Sequence, residues 1–103
     1  MTRIERITEM ERCLDASRAA VDRLAEAFEA YEAVQKEYIK LSDYYGSAAW
    51  VRDYEADEAG KLPAGLKRGV LSEDAVYDLI TDNHELAVRM MKVITKALES
   101  QSL

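Results

Sequence analysis

The sequence predicts an all-α fold, and three observations carry that prediction. From Thr2 to about Ser42 there is no Gly or Pro. Apolar residues recur there at alternating steps of three and four. A loop holding the chain's only proline is then followed by a helix-start signature at Ser72. Period-3.6 and period-3.5 patterns bury one stripe of a helix, whereas a strand would alternate every second residue.

The first element is a helix over about residues 2–42. Its apolar positions are Ile7, Met10, Leu14, Val21, Leu24, Phe28, Tyr31 and Tyr38, the a and d positions of a coiled-coil heptad. Ser17 and Gln35 interrupt this seam, while Cys13, Ala20, Ala27 and Val34 add a second line beside it. Glu32 and Lys36 fall at ion-pair spacing on the wetter side.

The pattern breaks at "SDYYGS", where Gly46 provides the turn and the Ser47 hydroxyl can cap a second helix over about 48–59. Trp50, Val51 and Tyr54 form its apolar face. Gly60 occupies the position of a left-handed C-cap, and Leu62-Pro63 prevents continuation. Tyr44, Tyr45, Trp50 and Tyr54 gather around the first turn, with rings expected to pack the bundle end and hydroxyls to reach water or a carboxylate.

A third helix is expected over about 73–99, with Ser72 as N-cap, Glu73 and Asp74 in the first turn, and Leu71 stapled onto Val76. Its apolar positions run from Val76 through Leu79, Ile80, Leu86, Met90 and Ile94 to Leu98, with Asn83 as the polar exception.

At about 1.5 Å per residue these helices measure roughly 60, 18 and 40 Å. The first outruns a compact domain of this size, whose radius of gyration is near 13 Å. If the third helix turns back, the N-terminal half of the first is bare. If it continues, a two-layer hairpin lacks a lid. A single helical domain over residues 1–103 that completes its bundle as a homodimer or higher homo-oligomer follows from both cases.

Composition narrows the function classes. With 49% hydrophobic and 33% charged residues the chain is a soluble globular type. Twenty acids against fourteen bases give a net charge of −6, a field that opposes nucleic acid and anionic membranes. The charge-interrupted start "MTRIERITEMERC" has no signal-peptide apolar run, and the lone Cys13 cannot form an internal disulfide, so a cytoplasmic location is expected.

The candidate site is the segment "DYEADEAGKLPAGLKRGVLSED", with Asp53, Asp57, Glu58, Lys67, Arg68 and Ser72. Acids at the C-terminal end of a helix face the negative pole of its dipole, so cations from elsewhere, Lys61, Lys67 or Arg68, should hold them. A calcium loop is excluded by register: counted from Asp53, the sixth position is Glu58 rather than Gly and the twelfth is Ala64 rather than an acid. Lys67 and Arg68 before a helix N-terminus suit an anion. However, Glu73 and Asp74 already sit in that field, and no nucleotide-loop glycine spacing is present. His84, the only histidine, has no metal-ligand spacing or nucleophile beside it and reads as a surface or partly buried histidine without a catalytic role. No catalytic residue, metal or cofactor is expected.

The stretches "YYGSAAW", "DYEADEAGKLP" and "LKRGVLSEDAVYDLI", within residues 44–90, resemble a family of small bacterial proteins known as domain of unknown function 4298. The resemblance implies an all-helical fold and a bacterial source, and it brings no catalytic or cofactor residue with it. The expected function is a non-enzymatic helical interaction module that self-associates, with the acidic and basic corner as a surface for an outside protein. The alternative is a small-ligand or anion-binding protein using the loop and the start of the third helix.

Overall fold

A computed structural model describes residues 1–101. Among these residues there are four α-helices, one 3-10 turn and no strand, so the chain is all-α: α1 Arg3–Ala33, α2 Gln35–Tyr45, α3 Ala48–Glu58, η1 Gly69–Leu71 and α4 Ala75–Glu99. The chain divides into two compact units, Met1–Tyr38 and Ile39 onward.

In the first unit, Thr2 caps α1 by accepting from the Glu5 amide at 3.1 Å, satisfying one of the four amides a helix start leaves without partners. The expected unbroken helix over 2–42 is corrected in two respects: helical structure is interrupted at Val34, and it continues to Tyr45. The break has a local cause. The Gln35 side-chain Nε2 donates to the Tyr31 carbonyl at 3.2 Å, the acceptor that Gln35's own amide would use in an unbroken ladder. Val34, with φ −101° and ψ 7°, donates its amide to the same carbonyl at 3.3 Å. Regular bonding resumes from Tyr38 N–H to Val34 C=O at 2.9 Å. The intrahelical ion pairs are Arg12 with Glu9 at 2.6 Å and Arg18 with Asp22 at 2.9 Å, whereas Glu32 and Lys36 form none. All the a and d seam residues of α1 are exposed apart from a half-buried Gln35 and Tyr38, which lie in α2.

In the second unit the expected caps form. Ser47 Oγ accepts from the Trp50 amide at 3.3 Å and donates to the Tyr44 carbonyl at 2.7 Å. At the far end of α3, Gly60 N–H donates to Asp57 C=O at 3.0 Å and Lys61 N–H to Ala56 C=O at 2.9 Å, the paired bonds of a Schellman stop. Gly60 has φ +70°, a conformation that an L side chain resists.

The start of α4 is a second correction. It begins at Ala75 rather than 73, while the Ser72 hydroxyl makes the bonds expected of a cap, accepting from the amides of Asp74 and Ala75 at 3.3 and 3.2 Å. The 3-10 turn η1 precedes it and contacts both α3 and α4. Leu71 on η1 and Val76 on α4, the expected staple, are the buried apolar residues, at 6% and 3% exposure. The core is therefore a small cluster under the corner. Leu86, Val93, Ile94 and Leu98 on α4 are exposed.

Candidate functional site

The corner is built on an aromatic stack. Trp50 and Tyr54 lie one helical turn apart on α3, so their rings meet, with centroids 5.2 Å apart and planes inclined by 17°. Tyr45, at the end of α2, meets the other side of Trp50 edge-on at 5.3 Å and 73°. Such geometry matches the ring quadrupoles and adds about 0.5–1.5 kcal/mol per pair beyond area burial.

Each ring also carries a polar tie. Trp50 Nε1 donates to the Val70 carbonyl at 3.0 Å, fastening α3 to η1. Tyr45 Oη donates to the Glu73 carbonyl at 3.1 Å and Tyr54 Oη to the Glu73 carboxylate at 3.0 Å, fastening α2 and α3 to the approach of α4. Tyr44 Oη donates to Asp53 Oδ2 at 2.6 Å. The hydrogen bond to Asp53 holds the Tyr44 hydroxyl above the usual tyrosine range, with desolvation adding to it. The bond to Glu73 does the same for Tyr54, reinforced by the charge of Glu58.

The residues singled out from sequence are brought together only in part. Arg68 Nη1 meets Asp57 Oδ1 at 2.8 Å, with both side chains partly buried, so the acid near the α3 C-terminus does have its cation across the loop. Arg68 Nη2 also reaches the Ala64 carbonyl at 3.4 Å. Asp53 belongs to Tyr44 instead, and Ser72 to the amides before α4. Glu58 and Lys67 are exposed, and their side chains make no hydrogen bond or ion pair among the described residues. Lys67 borders an apolar groove of about 400 Å³ lined by Leu41, Val70, Val76 and Leu79.

Sequence reasoning missed the carbonyls of Val70 and Glu73 as acceptors. The four-residue spacing of Trp50 and Tyr54 did signal their stack. No group of three or more His, Cys, Asp or Glu among the described residues is placed to hold a metal ion, and no helix is long and apolar enough to cross a membrane.

Fold and site thus define an all-helical chain in which Tyr44, Tyr45, Trp50, Tyr54, Asp57 and Arg68 hold one corner. It belongs to the family described as domain of unknown function (DUF4298), matched over residues 7–93. The match takes in most of α1 as well as the corner. No curated protein and no solved structure matches the chain.

Proposed function

We propose that this protein is a non-enzymatic helical interaction module of the cytoplasm whose working contact is with further copies of itself. The observation that carries the reading is the apolar seam of α1. Its unit consists of one helical run with no second layer, and Leu14, Val21, Leu24 and Phe28 are each more than half exposed. An amphipathic helix draws most of its stability from covering such a face, and isolated helices of ordinary sequence are marginal in water.

The corner supports a non-catalytic role. Arg68, Asp57, Asp53, Ser72, Tyr44 and Tyr54 each have an internal partner that fixes the turn. The anion-binding alternative has less to draw on, since Asp57 holds Arg68 and Ser72 occupies the amides before α4.

Size-exclusion chromatography with light scattering at micromolar concentration tests the proposal. A mass of two or more chains is expected, and a strictly monomeric mass overturns it. Thermal shift with phosphate, nucleotides or divalent ions should leave the melting temperature unchanged, because any ligand of the native state raises it.

A further inference from the structure

We infer that the copy covering α1 runs antiparallel to it, in one register, with Ser17 of each chain opposite Gln35 of the other. This rests on the self-association proposed above and adds direction and register to it.

The seam has two polar positions in sequence, Ser17 at d within α1 and Gln35 at a, the first residue of α2 just beyond the break at Val34. A polar residue against an apolar layer loses its hydrogen bonds to water, so registers that pair polar with polar win. In an antiparallel pair each a position faces a d position, and setting Ser17 opposite Gln35 fixes every other layer. Leu24 then faces Phe28 of the second copy and Val21 faces Tyr31, both layers within α1 and both apolar or aromatic. The Gln35 amide nitrogen is already held by the Tyr31 carbonyl, and a Ser17 hydroxyl from the second copy offers its amide oxygen a donor.

Charge selects the same register. The flanking e positions of an antiparallel pair face each other, and here Arg18 meets Glu32 of the second copy on both sides of the two-fold axis, with Ala25 against Ala25 at the centre. Arg18 extends from an exposed position where its present partner is Asp22 at 2.9 Å. Sliding one heptad in one direction sets Ser17 against Phe28 and brings Glu11 beside Glu32. Sliding in the other sets Gln35 against Leu24.

A parallel pair also matches Ser17 with Ser17 and Gln35 with Gln35, and it offers Arg6 to Glu11. But it places each g position beside an e position, which puts Cys13 against Arg18 and Ala27 against Glu32. The antiparallel pair instead gathers Ala20, Ala27 and Val34 on one edge and the opposite charges on the other.

The full chain carrying Cys13→Ala provides the test, with a single cysteine introduced by Ser17→Cys in one preparation and by Gln35→Cys in another. The two are mixed under reduction and then oxidised. A disulfide requires Cα atoms within about 7 Å. The expected product is the crosslink between positions 17 and 35, while each preparation alone remains without a crosslink. Self-crosslinking of the Ser17→Cys protein means a parallel pair and overturns the inference while leaving self-association intact. A dimer by light scattering in which neither position crosslinks also overturns it. A monomeric mass overturns the inference and the functional reading together. In a second experiment Arg18→Glu should weaken dimerisation about tenfold. Arg18→Glu combined with Glu32→Arg should restore it, although the pair with Asp22 stays broken; failure of the double variant to recover overturns the inference.

Discussion

The first unit and the corner of the second are made of similar helices, yet they satisfy their side chains in opposite ways. In the corner, a tryptophan, three tyrosines, an arginine and three acids find partners up to 28 residues away, and Leu71 and Val76 lie beneath them. Along α1 Arg12 and Arg18 bond to acids within four residues of themselves, and the apolar seam is exposed. A local pattern therefore suffices to make a helix, but only long-range ties make it a self-contained fold. The corner has those ties within one chain, and the seam of α1 is where the proposed self-association would supply them.

The largest expected effect tests the corner. Trp50→Ala removes the centre of the stack and the tie to Val70, and should lower unfolding free energy by about 3 kcal/mol in urea denaturation followed by far-UV circular dichroism. A loss below about 1 kcal/mol would erase the contrast between the regions.

The next sharpens it from the other side. Leu24→Ala should weaken the oligomer by about 2 kcal/mol if a second copy covers the seam, and should change stability by under about 0.5 kcal/mol if the seam faces water. Sedimentation equilibrium separates these values.

Gly60→Ala should lower stability by about 1 kcal/mol. Nothing lies within 4 Å of the added methyl, so the loss is entirely a matter of backbone at φ +70°. The same change at Gly46, also in open space and without positive φ, should be close to neutral.

The smallest effects are those of pH. Tyr44 and Tyr54 are raised above 10.0 in the folded chain, so the fold holds their protons more tightly than the unfolded chain does. Their contribution is fully present below the unfolded value and is lost as pH rises through the folded one. The corner should loosen in strong alkali, and Tyr44→Phe with Tyr54→Phe should remove that part of the transition in a near-UV dichroism titration. On α1, the Arg12 hydrogen bond lowers Glu9, so its contribution is present above the ordinary value of 4.5 and is lost as pH falls through the lowered one. Arg12→Ala should barely change helicity in acid.

What the sequence revealed and what it concealed follow from the range of the interactions. Ser47 as a cap, Gly60 as a stop and the Leu71–Val76 pair were legible because each depends on neighbours within five residues. The break at Val34 was not, although Gln35 stood out as a polar interruption, because its cause is a side-chain amide taking a backbone acceptor. The cap bonds of Ser72 were legible, since its hydroxyl takes the amides two and three residues on, but the start of the helix two residues later than 73 was not. At the candidate site, charge alone made Lys67 and Arg68 equivalent. Only the path of the loop decides that Arg68 reaches Asp57 while Lys67 stays at the rim of the groove. The carbonyls of Val70 and Glu73 carry no residue-type signature at all.

Trp50, the chain's only tryptophan, lies between Tyr45 and Tyr54. Its emission is thus a native reporter of the corner, while backbone ellipticity weights every helix. On the self-association proposed above, dilution should reduce ellipticity and leave the emission maximum where it was, so the molecule carries its own two-channel readout without any added dye.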